Sequence, residues 1–244
     1  MGIELLVVFF VAVFIVATLY SSVGHAGASG YIAVMSLLSF APEVIKPTAL
    51  SLNILVASIT AWQFYRAGHF SWTLFWPFAV LAIPLAYVGG HISLPTHLFK
   101  LFLGVVLLYS ALRFLLQSNN NPDIVSPPKV QALAAGGIIG FMSGLTGTGG
   151  GIFLTPLLLL MGWADAKRAA AVSALFVLVN SISGLAGNVA ATKFLPSFIL
   201  PLLLVAALGG VTGAYIGSRR IQSAAIKKLL AVVLLIAGLK LIFT

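Results

Sequence analysis

Residues 20–30, YSSVGHAGASG, interrupt an apolar run near the start of a 244-residue chain. A second break, GLTGTGGG at residues 144–151, interrupts the other half of the chain in the same way. Each glycine inside a helix costs about 1 kcal/mol relative to alanine, so both stretches predict breaks in regular helix. The fold depends on what surrounds these two glycine loops.

The composition predicts an α-helical membrane protein that crosses the bilayer several times. Hydrophobic residues make up 61% of the chain and charged residues only 7%, whereas a soluble domain carries about a quarter charged residues. Apolar runs of about 20 residues, the length of a membrane-crossing helix, recur throughout. The runs are continuous, without the alternation of a membrane β-barrel.

Ten apolar segments are predicted, with one polar stretch in the middle of the chain. That stretch, QSNNNPDIVSPPK at residues 117–129, has the composition of a solvent-exposed linker. It predicts a first membrane repeat at 1–116 and a second at 130–244, within one integral membrane domain. The segments are 3–22, 28–41, 47–65, 72–93, 98–117, 130–146, 151–163, 169–190, 196–217 and 225–243.

The two halves resemble each other, which indicates an internal duplication. GHAGASGYIAV, from Gly24, aligns with GTGGGIFLTPL, from Gly147. PEVIKPTALS (42–51) aligns with ADAKRAAAVS (164–173), which places Lys46 on Arg168 and Ser51 on Ser173. Further along the chain, AYVGG (86–90) aligns with AYIGS (214–218) and KLFLGVVLLYSALR (100–113) with KLLAVVLLIAGLK (228–240).

Five segments per half is an odd number, so we expect the second repeat to enter the membrane with inverted orientation. The basic residues support one sidedness, because they collect in cytoplasmic loops. We expect the protein to lie in the inner membrane, with both termini on the outer side. In this orientation nine of the 13 basic residues face the cytoplasm. The other four, assigned to the outer side, are Lys46, Lys100, Lys193 and Lys240. The net charge of +9 is explained in this way, and no basic stripe with interleaved aromatics points to nucleic acid.

Segments 28–41 and 151–163 are too short to cross a bilayer that needs about 20 residues. We favour broken helices at the glycine loops over complete short crossings, and a re-entrant hairpin is one form of such a break. Irregular backbone at membrane depth is tolerated only inside protein or beside a water-filled cavity. The two loops are therefore expected to face the protein interior.

A pair of interior helix N-termini suits an anion, because N–H groups and the positive end of the helix dipole point at it. Serine and threonine hydroxyls beside the loops add donors. Asn53 and Asn180, in the helices after the short segments, either line this site or staple a helix to a glycine loop. The candidate substrate-binding residues are Gly24, His25, Gly27, Ser29, Ser51, Asn53, Thr146, Gly147, Thr148, Gly149, Gly150, Ser173 and Asn180.

Other glycines recur at four-residue spacing and are interpreted as helix-packing residues. These rows are Gly136, Gly140 and Gly144, and Gly209, Gly213 and Gly217.

His25 is the histidine that belongs to a glycine break, and Thr148 holds the matching position in the second half. It either donates to an oxyanion, carries a proton, or serves as a hydrogen-bonded structural residue. The four acids lie at segment ends, so no carboxylate-built cation site is expected. We expect no catalytic residue, metal or cofactor, since the chain has no cysteine and no nucleophile or paired carboxylates at depth.

The chain resembles the sulfite exporter TauE/SafE family over nearly its whole length. The resemblance is carried by GLTGTGGGIFLTPLLLLMGWADAKRAAAVSALFVLVN (144–180) and SSVGHAGASGYIAVMSLLSFAPEVIKPTALSLN (21–53). It implies a transporter that exports small sulfur-containing anions such as sulfite, sulfoacetate or other organosulfonates. The alternatives are an anion channel and a transporter of another small organic anion. Membrane lipid is an expected partner, while proton coupling and a homodimer are left open.

Overall fold

The computed structural model describes residues 3–92, 108, 111–112, 124–192 and 199–243. The described residues form helices and connecting turns without a β-strand, as the sequence predicts. The predicted fifth segment, 98–117, lies almost entirely outside the described residues. The helices are α1 (Ile3–Ser22), α2 (Ala28–Leu37), α3 (Pro42–Arg66), α4 (Trp72–His91), α5 (Lys129–Thr146), α6 (Gly151–Leu160), α7 (Ala166–Thr192), α8 (Ile199–Tyr215) and α9 (Ser223–Phe243).

Two long helices, α3 and α7, begin earlier than predicted. Proline is favoured at the first helical position, and Pro42 begins α3 after the extended Ala41, five residues before the predicted start. The side chain of Asp165 accepts hydrogen bonds from the backbone N–H groups of Lys167 (2.9 Å) and Arg168 (3.0 Å) and so caps α7. Lys46, one residue before the predicted start of the third segment, therefore lies inside α3.

Five of the described helices are long and apolar enough to cross a membrane. By contrast, α2 and α6 contain 10 residues each. At 1.5 Å per residue each spans about 15 Å, half of the hydrocarbon core, so the predicted short helices after the glycine loops are present. The five candidate spans are Glu4–Ser22, Glu43–Arg66, Trp72–His91, Ala166–Thr192 and Ile199–Arg220.

Helices of the first half pack against helices of the second half. The first helix of each half lies along the fourth helix of the other: α1 along α8, and α5 along α4. At the centre α3 packs against α7. These contacts are reciprocal between the halves, and the opposite orientation of the two halves in the membrane stays a prediction.

The glycine rows make these two helix pairs close. A Cβ at Gly136, Gly140 or Gly144 of α5 would overlap the main chain of α4 at Phe78, Ala82 or Ala86. On the other pair, a Cβ at Gly209 would lie 2.6 Å from the Phe14 carbonyl oxygen of α1, and Gly213 and Gly217 face the next turns. The packing interpretation of both rows is confirmed.

Candidate functional site

The two glycine loops turn the chain with the same left-handed backbone. Gly24 and Gly27 have φ angles of +84° and +103°, and Gly147 and Gly150 have +77° and +81°. L-residues with a side chain rarely adopt this region, so glycine is required at these turns. Gly27 and Gly150 are the N-cap residues of α2 and α6, and neither helix has a side-chain cap.

Each loop rests on the long helix of the other half. A Cβ at Gly24 would overlap the backbone of Ala170 in α7. A Cβ at Gly147 would lie 3.0 Å from Cγ of Lys46 in α3. The loops also meet each other, since a Cβ at Gly151 would lie 3.2 Å from the Cδ2 atom of His25.

His25 joins the first loop to the second half through a chain of hydrogen bonds. The side chain is buried, with 3% of its surface exposed. Its Nε2 atom lies 2.9 Å from Thr155 Oγ1 in α6, and the Thr155 hydroxyl donates to Ser173 Oγ in α7 at 2.7 Å. With Thr155 donating onward, Nε2 carries the proton and donates to Thr155. Two of the predicted site residues, His25 and Ser173, are thus linked by Thr155, which was not predicted.

Asn53 joins α3 to the second loop. Its Nδ2 donates to the Thr148 carbonyl and to Ser181 Oγ, both at 3.3 Å. A Cβ at Gly149 would lie 2.6 Å from this same Nδ2 atom. Of the two roles weighed for Asn53, the contacts are those of a staple between helix and loop. Its Oδ1 atom is buried and has no partner among the described residues.

The remaining predicted side chains bond within their own half of the molecule. Ser51 Oγ donates to the Pro47 carbonyl at 2.8 Å, and Asn180 Nδ2 donates to the Phe176 carbonyl at 2.8 Å. Thr146 Oγ1 donates to the Met142 carbonyl at 2.7 Å and lies 2.9 Å from Thr148 Oγ1. Ser29 Oγ donates to the Tyr20 hydroxyl at 3.1 Å. Each of these five side chains thus has a hydrogen-bond partner in its own half.

The first loop is enclosed, and the second is partly open. All residues from 20 to 31 are buried, and so are Gly147, Gly149 and Gly150. Thr146, Thr148 and Ser51 are half-buried. The second loop is therefore partly exposed at Thr146 and Thr148.

Three residues beside the loops were not among the site residues predicted from the sequence: Thr155, Ser181 and Lys46. Thr155 carried a signal, because it is the single polar side chain in the α6 sequence GIFLTPLLLL. Ser181 follows Asn180 directly in the sequence, and only the turn of α7 decides that it, and not Asn180, meets Asn53. Lys46 stood at a predicted segment end, where a lysine is ordinary.

Comparison with known proteins identifies the family. The model of the family described as "Sulfite exporter TauE/SafE" matches residues 9–241. The chain is 41% identical over 238 residues to "Probable membrane transporter protein y4hK" of Sinorhizobium fredii (strain NBRC 101917 / NGR234), covering 96% of both chains. It is 24% identical over 225 residues to "Probable membrane transporter protein YunE" of Bacillus subtilis (strain 168), covering 83% of this chain and 81% of the relative. No solved structure matches the chain significantly.

The chain belongs to the sulfite exporter TauE/SafE family. With membrane transporters as relatives and five long apolar helices, it is a multi-pass membrane protein of a transporter family.

Proposed function

We propose that this member of the TauE/SafE family is a secondary transporter that exports small sulfur-containing oxyanions such as sulfite, sulfoacetate or other organosulfonates. The substrate binds between the two glycine loops, near the middle of the membrane. One half then moves against the other, so that the site opens alternately to the two sides.

The observation that carries the proposal is the pair of uncapped helix N-termini, one from each half. The first N–H groups of an α-helix have no partner inside the helix. At α2 and α6 the N-cap is a buried glycine, which has no side chain that could cap these groups. In an apolar interior such groups favour an oxyanion, which accepts hydrogen bonds and is stabilised by the helix dipoles.

The neighbouring side chains suit a compact anion with an apolar part. The Ser173 hydroxyl, which accepts from Thr155, has its own proton to donate. Val177 and Phe176 lie against Gly149 and Gly150 and offer apolar surface. Hydrogen-bond donors beside apolar walls match a sulfonate group on a short carbon chain, and the donors alone match sulfite.

Enclosure of the first loop favours a transporter over an open channel. An open pore would leave the loop residues in contact with water from both sides, whereas residues 20–31 are all buried. Flux kinetics separate the two functions, because a carrier saturates with substrate and an open pore does not.

His25 is the group through which a proton is coupled to the anion. It donates from Nε2 to Thr155, and its Nδ1 atom has no hydrogen-bond partner among the described residues. A proton taken up at Nδ1 would place a positive charge beside the anion site, which would favour binding of the two together. A substrate gradient imposed across liposomes should then drive proton movement, read with a pH-sensitive dye. Proton movement that is absent in wild type while anion flux proceeds would exclude the coupling.

The decisive experiment is flux of labelled sulfite, organosulfonate and sulfate in proteoliposomes that contain the purified protein. We expect saturable flux of sulfite or an organosulfonate, and its loss in Gly147→Val and Gly149→Val. Absence of saturable flux for every anion would overturn the proposed function. Unchanged flux in both variants would remove the glycine loops from the mechanism.

The proposed sidedness has its own test. We place both termini outside the inner membrane and the central linker in the cytoplasm. A reporter that is active only in the cytoplasm, inserted within residues 124–128, should be active in cells. A reporter that is active only in the periplasm should be silent at the same position, and the reverse result would overturn the orientation.

A further inference from the structure

The ammonium group of Lys46 is partly enclosed by the protein and lies at the C-terminal end of α4. It lies in the second turn of α3 and is half-buried. Its Nζ donates to the carbonyl oxygens of Gly90 at 3.0 Å and Ile92 at 3.4 Å. These carbonyls end α4, where the helix dipole is negative, so the ammonium is held there by the charge distribution of the helix.

The stem of the same side chain lies on the second glycine loop. A Cβ at Gly147 would meet Cγ of Lys46 at 3.0 Å and its Cα at 3.7 Å. Thr146 and Thr148, on either side of Gly147, are half-buried polar residues of this loop. The Lys46 stem therefore packs against this loop, and the ammonium, three bonds beyond Cγ, lies beside it at the end of α4.

No carboxylate neutralises this charge among the described residues. The ion pair of the described part joins Arg168 to Asp165 at 3.6 Å, and Arg168 is the residue aligned with Lys46. The Arg168 side chain is 55% exposed, while Lys46 is half-buried and bonds carbonyls alone. The two halves therefore differ: Arg168 in the second half is paired with a carboxylate, and Lys46 in the first half has no carboxylate partner among the described residues.

An unpaired, partly buried cation is costly for a fold, because two carbonyls replace its water shell incompletely. An ammonium has three N–H donors, and carbonyls take two of them. A third donor and a whole positive charge remain at the mouth of a loop that offers N–H groups to an anion.

We infer that Lys46 is the cationic residue that attracts the oxyanion to the second glycine loop and binds it at the mouth of the site. The inference rests on the proposed function and deepens it, since it selects anionic over neutral organic substrates. Lys46 is predicted to lie on the outer side, so an exported sulfite or sulfonate group passes from the N-terminus of α6 to the free N–H of Lys46. A group that enters from the outer side meets this N–H first.

The test compares KM and kcat of sulfite flux in proteoliposomes for wild type, Lys46→Met and Lys46→Arg. Methionine keeps the length of the stem against Gly147 and removes the charge, whereas arginine keeps the charge. We expect Lys46→Met to raise KM about tenfold, a loss of one close charge contact, with kcat within about twofold. Lys46→Arg should stay within about threefold of the wild-type KM, because the charge remains. Arg168→Gln is the matched control, and its KM should be unchanged since that charge is already paired.

Ionic strength separates charge attraction from a structural role. The Debye length falls from about 30 Å at 0.01 M to about 8 Å at 0.15 M. Across this range the wild-type KM should rise, and the KM of Lys46→Met should rise clearly less. A lysine that only caps α4 would lower the melting temperature on substitution without changing this salt dependence.

The outcomes are distinct. A wild-type KM that does not change with ionic strength overturns the role of Lys46. This measurement uses the wild-type protein alone and so does not depend on whether a variant folds. A Lys46→Met protein with wild-type KM and salt dependence overturns it also, whatever its melting temperature. If wild type shows no saturable anion flux at all, the proposed function itself fails.

Discussion

The loops at residues 23–27 and 147–150 turn the chain with matching left-handed glycines, but they meet different neighbours. The first loop is closed against the main chain of α7 at Ala170 and sends His25 across to Thr155. The second loop lies under the flexible stem of Lys46 and is held by Asn53. One is enclosed, the other partly exposed.

The two loops share their backbone geometry and differ in the side chains around them. Shared backbone geometry gives each half the same uncapped helix N-terminus, the part of the site that needs only N–H groups. The side chains around it differ, with a buried histidine relay at one loop and an unpaired lysine at the other. Equivalent backbones therefore support two chemical roles, and substitutions in the two loops should have unequal effects.

The largest effect is expected for Gly24→Ala. The new Cβ would combine the cost of a left-handed alanine, about 1–2 kcal/mol, with overlap against the Ala170 backbone, which a side-chain movement cannot relieve. We expect flux per milligram of protein to fall more than about tenfold and the melting temperature to drop. Gly147→Ala should be milder, because its Cβ meets the flexible Lys46 side chain.

Gly68→Ala is the matched control for both substitutions. Gly68 also has a positive φ, of +79°, but a Cβ there meets nothing within 4 Å. It therefore carries the backbone strain alone. Equal losses for Gly24→Ala and Gly147→Ala would remove the distinction between a closed and an open loop.

Thr155→Val should have the next largest effect, because it cuts the relay at the first loop. Without the hydroxyl, His25 Nε2 and Ser173 Oγ each lose a buried partner, at about 1–3 kcal/mol for an unsatisfied group. We expect kcat/KM for sulfite to fall about tenfold. Thr60→Val is the control, since its buried hydroxyl bonds the Val56 carbonyl of its own helix. Equal kcat/KM in the two variants would show that the relay has no role in transport.

Asn53→Ala tests the corresponding contact at the second loop. Its two bonds, at 3.3 Å, are longer than those of the relay, so we expect a smaller loss, about threefold in kcat/KM. Limited proteolysis or hydrogen exchange at residues 147–150 should increase in parallel. A loss larger than that of Thr155→Val would reverse the ranking of the two loops.

The smallest effect is expected for Ser51→Ala. The hydroxyl bonds the Pro47 carbonyl of its own helix and reaches neither loop in this arrangement. Flux within about twofold of wild type is expected, as for a helix surface position. A larger loss would mean that Ser51 turns to the substrate when the site opens, and would restore it as a binding residue.

Much of the fold follows from local sequence. Hydropathy and glycine spacing predicted α1, α4 and the short helices α2 and α6, because the length of an apolar run and a break in it are local properties. The glycine rows predicted close packing for the same reason, since four-residue spacing places small residues on one face of a helix. Breaks in helix were predicted where glycines stood too close together, and the left-handed turns at these breaks were found only in the structure.

The arrangement of side chains around the loops was decided by the tertiary structure. Thr155 lies 130 residues from His25, and the Thr148 carbonyl lies 95 residues from Asn53. No local pattern encodes such pairs, because they depend on which helix of one half docks against which loop of the other. Lys46 is the clearest case: by sequence it is an ordinary lysine at the end of an apolar segment. Only the tertiary structure brings Lys46 of α3 to the last carbonyls of α4 and against the second loop, with no carboxylate partner among the described residues.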